Sequence, residues 1–358
     1  MKPTKQLHQL GQSIWLDNIT RAMLDDGTEQ RYIDDLDVTG QTSNPTIFDK
    51  AISGGDAYDE QIAELREKGM EPEDIFFELA LADVTRAAQM FERIHKETDG
   101  MDGWVSLEVS PQLAYDTGAT IQQAADLHGR AEENNFIKIP GTPEGLPAIT
   151  ESIFAGVPIN VTLLMSAEQT MAAADAYMKG IERRIEADLD PDVPSVLSLF
   201  ISRSDVAVHD QVPDDMKNTL GIAVGEETYA EWMKMRGSDR WKGLAEEGAR
   251  LQRLLFASTG TKDPNASETL YVGAFAAPDT INTMPDKTLL AFAESGEVGD
   301  PMPEDGGDFQ QVFQAHRDAG VDVDGLGLQL QKEGAEKFVK SWMDLLETIK
   351  SESERLAA

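Results

Sequence analysis

The chain has 358 residues, 41% of them hydrophobic, no cysteine and a formal net charge of −34. Its length exceeds the ~250 residues of a bare (β/α)8 barrel and is enough for one decorated domain or two ordinary ones. The lack of cysteine excludes disulfides, thiolate metal sites, iron–sulfur clusters and a cysteine nucleophile. The charge argues against nucleic acid and anionic membrane as partners. Acidic residues run along the whole chain, from Asp25-Asp26 and Asp34-Asp35 through Asp188 to Asp192 and Glu304 to Asp308. They read as a solvated surface of the kind found in proteins adapted to high internal salt, where screening reduces self-repulsion. The segment from Met1 to Trp15 has no secretory apolar core, and nothing later approaches ~18 uninterrupted apolar residues, so a cytoplasmic protein is expected.

Short apolar runs alternate with longer amphipathic segments, the pattern of β/α units around a parallel sheet. In chain order the predicted strands are Ser13 to Asp17, Val38 to Ser43, Trp104 to Val109, Phe136 to Ile139, Pro158 to Leu163, Ser195 to Ser202, Leu254 to Ala257 and Thr269 to Ala274. Helical spacing is clear over Asp74 to His95 and Ile121 to Glu133, and a long amphipathic helix is expected from Leu328 to Lys350. The connection from Asp205 to Arg250 carries helical patterns of its own. No Gly-, Pro- or Ser-rich linker divides the chain, so residues 1–358 read as a single decorated (β/α)8 TIM barrel of the α/β class. A doubly wound open sheet is the alternative, but Trp15-Leu16-Asp17-Asn18 lacks the Gly-rich turn such a fold needs after its first strand.

In a parallel barrel, polar residues at the carboxyl ends of strands point into the site. Lys138 alone among the lysines lies within a strand-like run, Asn135-Phe136-Ile137-Lys138-Ile139-Pro140. Burial disfavours an ammonium relative to the free amine, the form that attacks a ketone; the same pattern also suits a lysine paired with a carboxylate for structure. Glu108 and Asp17 end two other strands. Two carboxylates beside one amine can supply the proton transfers of imine formation and carbon–carbon cleavage, or can be ordinary ion-pair partners. Asn44, and Asn160 with Thr162, also fall at strand ends and suit the hydroxyls of a polyol, although Asn44-Pro45 is equally a turn signal. Arg203 closes the run from Ser198, while Ser258 and Lys262 follow the seventh strand, where barrels often bind phosphate. The five histidines form no ligand spacing, so no metal site is expected.

Taken in order, Ile14-Trp15-Leu16-Asp17, Thr42-Ser43-Asn44-Pro45-Thr46-Ile47-Phe48, Ser106-Leu107-Glu108-Val109-Ser110-Pro111, Phe136-Ile137-Lys138-Ile139-Pro140, Ile159-Asn160-Val161-Thr162-Leu163-Leu164 and Ala257-Ser258-Thr259 resemble the transaldolase family. The likeness is to its longer bacterial form, among the class I Schiff-base aldolases, and spans nearly the whole chain. It implies a transferase of the pentose phosphate pathway that moves a dihydroxyacetone unit from sedoheptulose 7-phosphate or fructose 6-phosphate to an aldose phosphate. Lys138 would form the Schiff base, Asp17 would take the C4 hydroxyl proton, and Glu108 would act through a water held by Thr162. Asn44 and Asn160 would hold hydroxyls, and Ser198, Arg203 and Ser258 would face the substrate and its phosphate. Shorter members of the family carry an arginine where this chain has Gly260, so Lys262 is the candidate for that charge. The resemblance implies no cofactor, sugar phosphates as the only partners, and a monomer or homodimer.

Two rival readings follow from the same residues. A fructose 6-phosphate aldolase would release dihydroxyacetone, but the related lyases tend to carry Tyr at the position of Phe200 and Gln at that of Glu108. A non-catalytic sugar-phosphate-binding barrel would be expected to have lost at least one of the site residues, and none is missing here.

Overall fold

The structure, a computed structural model, describes residues 1–357. Eight strands of four to six residues form its centre: β1 Ser13–Asp17, β2 Val38–Thr42, β3 Val105–Glu108, β4 Asn135–Pro140, β5 Ile159–Leu164, β6 Ser195–Phe200, β7 Arg253–Ala257 and β8 Ile281–Met284. Each is buried along almost its whole length, because one side packs on helices and the other fills the barrel. Every neighbouring pair is parallel, and β8 returns to β1 with Ser13 opposite Ile281 and Leu16 opposite Met284. The sheet is therefore a closed (β/α)8 barrel, and the open-sheet alternative does not apply.

Seven of the eight predicted strands coincide with observed ones. The eighth does not: Thr269 to Ala274, expected as a strand, contains the short helix Leu270–Ala274, and the barrel closes with Ile281–Met284 instead. Leu-Tyr-Val has the β-branched and aromatic character of a strand, but it lies outside the barrel wall, where Tyr271 and Val272 pack inward from a single helical turn. The true strand is hidden by its polar centre, Asn282-Thr283, whose side chains bond on opposite faces of the strand: Thr283 meets the Thr42 hydroxyl at 2.8 Å inside the barrel, and Asn282, on the helix side, accepts from the Thr259 hydroxyl at 3.0 Å.

The amino-terminal end of the barrel is plugged. Asp102 accepts from Trp15 Nε1 (2.7 Å), from the Thr39 hydroxyl (2.8 Å) and from Ser13, and Arg253 reaches Ser13 at 2.6 Å. Gly40 in β2 makes room for this plug, since a β-carbon there would fall 2.6 Å from the Trp15 indole. With that end sealed, the carboxyl end is the one left for ligands.

The C-terminal helix, Val323–Arg355, is longer at both ends than its amphipathic pattern suggested. Trp342 on it is buried edge-on against Phe76, with ring centroids 4.8 Å apart, inside the helix Pro72–Glu97. An indole of that size buries roughly 200 Å², or about 5 kcal/mol at the usual apolar coefficient. Two further contacts bring the helix to the barrel mouth. Gln331 donates to the carbonyls of Gly141 and Leu163, just beyond β4 and within β5, and Phe338 lies 6.3 Å from Phe200. No helix among the described residues is long and apolar enough to cross a membrane.

Candidate active site

The centre of the site is set by strand register. Glu108 stands opposite Lys138 on β3 and β4, and Lys138 stands opposite Asn160 on β5, so all three face the same layer of the barrel interior. Lys138 is 5% exposed; its Nζ donates to the Ser43 carbonyl at 3.0 Å and lies 3.6 Å from Glu108 Oε2. That second distance is an ionic contact rather than a hydrogen bond. Both Glu108 carboxylate oxygens and the Thr162 hydroxyl are buried without a hydrogen-bond partner among the described residues. Such orphaned polar atoms in a barrel mouth are available to a water or a substrate. Burial raises the Glu108 carboxyl above its ordinary value, against the lowering effect of the Lys138 charge and contact, and Asp17 pushes it in the same upward direction.

Asp17, the last residue of β1, keeps some exposure at the mouth, but its carboxylate is enclosed. That desolvation raises it above the usual aspartate value; Lys138, the Thr42 hydroxyl and Lys262 pull it down, and Asp286 pushes it up. Thr42 donates to Asp17 Oδ1 at 2.9 Å and so accepts from Thr283. The charge of Lys138 acts on both carboxylates, so the three ionisable groups form one coupled cluster.

The polar residues around them are joined in chains. Asn160 donates to Ser106 at 3.1 Å and accepts from Ser198 at 2.6 Å, which ties β3, β5 and β6 together beneath Lys138. Asn44 is the N-cap of the helix Pro45–Ser53: its Oδ1 accepts from the Ile47 amide at 3.1 Å, leaving the Nδ2 protons to donate. It thus stands beyond the strand end, as its Asn-Pro turn signal also allowed. Leu163 and Ser258 both have left-handed backbones, with φ of 57° and 55°. Non-glycine residues take that conformation at a cost of order 1 kcal/mol, and such strain collects at functional sites.

Arg203 was expected to close the sixth strand; that strand ends at Phe200, and Arg203 lies in the first turn of the helix Ser202–Val208. The chain turns there because Ile201 and Ser202 donate to the carbonyls of Ala257 and Ser258, and the Ser202 and Ser258 hydroxyls meet at 2.8 Å. Arg203 is the one arginine among the described residues with neither a side-chain hydrogen bond nor a carboxylate within 4 Å, and burial disfavours its charged form. Lys262 is exposed, its Nζ 3.8 Å from where a β-carbon on Gly260 would stand, and its charge reaches Asp17. It therefore shares the mouth with Asp17.

Comparison with known proteins gives the chemistry its context. The Transaldolase/Fructose-6-phosphate aldolase family matches residues 14–349. A transaldolase of Saccharopolyspora erythraea is 42% identical, over 97% of this chain and 96% of its own. One of Mycolicibacterium paratuberculosis is also 42% identical, covering 95% and 94%. The chain belongs to this family. A relative from Streptomyces coelicolor, named transaldolase 2, is 40% identical over 99% of this chain and 98% of its own.

All ten residues singled out in the sequence lie at or beyond the carboxyl ends of the strands or in the layer beneath them. What sequence reading missed is the supporting set: Thr42 and Thr283 behind Asp17, Ser106 behind Asn160, and Ser202 against Ser258. Ser106 carried a usable signal, since two-residue alternation from Glu108 turns it inward. Thr283 carries none, because the polar centre of its short strand breaks the apolar run that marks a barrel strand.

Proposed function

We propose that the chain is a transaldolase, a transferase of aldehyde and ketone residues acting as one decorated barrel domain in the cytoplasm, as a monomer or homodimer. Its substrates are sugar phosphates: sedoheptulose 7-phosphate or fructose 6-phosphate as donor, and glyceraldehyde 3-phosphate or erythrose 4-phosphate as acceptor. The observation that carries this reading is the buried amine of Lys138, in register with Glu108, whose carboxylate oxygens have no hydrogen-bond partner among the described residues.

In this reading the Lys138 amine adds to the C2 carbonyl of the donor. Glu108, through a water held by the Thr162 hydroxyl, moves the protons that let the carbinolamine lose water and become an iminium. Asp17 then takes the proton from the C4 hydroxyl. The C3–C4 bond breaks, its electron pair passes into the iminium as an enamine, and the aldose phosphate leaves. The acceptor aldehyde is attacked by the enamine carbon, Asp17 returns its proton, and hydrolysis frees Lys138. Asn44 and Asn160 hold hydroxyls of the three-carbon unit. Ser198, from its place beside Asn160, and Ser258 face the substrate, Arg203 and Lys262 its phosphate, and Arg203, without an anion partner among the described residues, is suited to a phosphate. The chemistry requires no cofactor, because the iminium is itself the electron sink.

The test is a coupled assay of fructose 6-phosphate with erythrose 4-phosphate, on the wild type and on Lys138→Ala. Sedoheptulose 7-phosphate formed by the wild type alone supports both the activity and its nucleophile. Free dihydroxyacetone would assign a lyase instead, and no turnover would return the chain to a binding role.

A further inference from the structure

Arg203 stands on a helix of seven residues, too short to hold its own position in water. At its start the helix is tied to the segment after β7 through Ser202 and Ser258. Two residues beyond Arg203, Asp205 supplies a second anchor. Its side chain is buried, and its carboxylate accepts from the backbone amides of Leu220 and Gly221, each at 3.0 Å, and from the Tyr271 hydroxyl at 2.8 Å. No lysine or arginine among the described residues pairs with it.

Leu220 and Gly221 open the helix Leu220–Arg236, so Asp205 caps that helix from a distance of fifteen residues in sequence. A carboxylate is well placed at such a terminus, where free amides and the helix dipole both favour negative charge. The approach is close. A β-carbon on Gly221 would fall 2.5 Å from Asp205 Oδ2 and 2.8 Å from the Ile201 carbonyl. Tyr271 belongs to the short helix Leu270–Ala274, so one side chain joins the elements that follow β6 and β7.

We propose that Asp205 is a positioning residue for the phosphate end of the substrate: it locks the Arg203 helix to the start of the helix Leu220–Arg236 and so sets where the guanidinium meets the phosphate. The proposal rests on the reading of Arg203 as the phosphate ligand given above. Its contacts are confined to that side of the mouth, whereas Asp17, Glu108 and Lys138 stand on β1, β3 and β4. Loss of the anchor therefore weakens phosphorylated ligands selectively, and imine formation with an unphosphorylated ketone is spared.

Asp205→Asn sets an amide against one of the three donors, and Tyr271→Phe removes a single donor. Two quantities are measured on each: KM and kcat for fructose 6-phosphate, and the dihydroxyacetone concentration that half-saturates borohydride trapping on Lys138. Asp205→Asn is expected to raise KM roughly tenfold, with kcat and the trapping concentration changed less than about twofold. Tyr271→Phe follows in the same direction by roughly threefold. Should Asp205→Asn fail to fold, Tyr271→Phe, which removes one donor without adding bulk, decides the matter by the same split. The proposal is overturned if a folded variant leaves KM unchanged, or if it weakens both ligands equally, as a purely structural cap would. Arg203→Ala is run alongside: if it leaves KM for fructose 6-phosphate unchanged, the phosphate assignment itself has failed, an outcome distinct from failure of the Asp205 variants alone.

Discussion

Glu108 Oε2 lies 3.6 Å from Lys138 Nζ across two strands in register, close enough for charge to act and too far for a hydrogen bond. The pair is thus held apart at a distance that leaves both carboxylate oxygens without a hydrogen-bond partner among the described residues. If Glu108 relays protons during imine formation, Glu108→Gln keeps the shape and removes the relay. Trapping of the three-carbon adduct by borohydride should then slow by roughly 10²-fold to 10³-fold, the usual worth of a positioned acid or base. A rate within a factor of three of the wild type would remove Glu108 from the mechanism.

The pH dependence of cleavage should report Asp17. Burial raises its carboxyl above the ordinary 3.8, so it takes up a proton at a higher pH than a surface aspartate does. A base works only when ionised, so kcat/KM falls as pH drops through a midpoint above 3.8. The Thr42 hydroxyl favours the ionised form, so Thr42→Val raises the carboxyl further and moves the acid limb toward neutrality. A pH profile of kcat/KM for both proteins checks the direction; an acid limb that stays still or moves lower contradicts the assignment.

The barrel was legible because its apolar strands leave the solvent on both sides, which produces continuous apolar runs broken only by inward polar residues. Lys138 and Glu108 stood out for that reason, and register then placed them face to face. The last strand was not legible, since Asn282 and Thr283 spend their side chains on Thr259 and Thr42 rather than on an apolar layer. Arg203 was visible as a charge ending a strand, but its support by Asp205 was not: that link joins residues fifteen apart through backbone amides, which carry no sequence signal.

Salt should stabilise the protein. A formal charge of −34 repels itself, and screening relieves that repulsion. The same salt weakens surface ion pairs such as Arg183 with Glu151 and Arg240 with Glu182 and Asp175. Exposed pairs are worth only about 0–1 kcal/mol each, so relief of the excess charge wins. The melting temperature is expected to rise by roughly 3–5 °C between 0.1 M and 2 M potassium chloride, equivalent to a few kcal/mol for a chain of this length. A thermal melt that stays flat or falls with salt would end the reading of the surface as salt-adapted.

Glu29 gives a second pH effect, on stability rather than catalysis. It lies buried in the first turn of the helix Thr28–Leu36, where Gln41 Nε2 donates to it at 2.9 Å and also to the Asn18 carbonyl at 2.7 Å. Asn18 in turn donates to Asp286 at 2.6 Å. Burial, reinforced by the negative charge of Asp286 and opposed by the Gln41 bond, pushes the Glu29 carboxyl from 4.5 up to about 8. Between those two values the folded chain holds a proton that the unfolded chain has released, so stability falls as pH rises. The slope of this single group is at most about 1.4 kcal/mol per pH unit. It is fully favourable below 4.5 and exhausted above about 8. Glu29→Gln cannot ionise and should lose this slope, so the variant becomes more stable relative to the wild type from pH 5 to pH 8, its urea unfolding free energy minus that of the wild type growing more positive. An equal difference at both pH values would mean that Glu29 is already ionised in the folded protein.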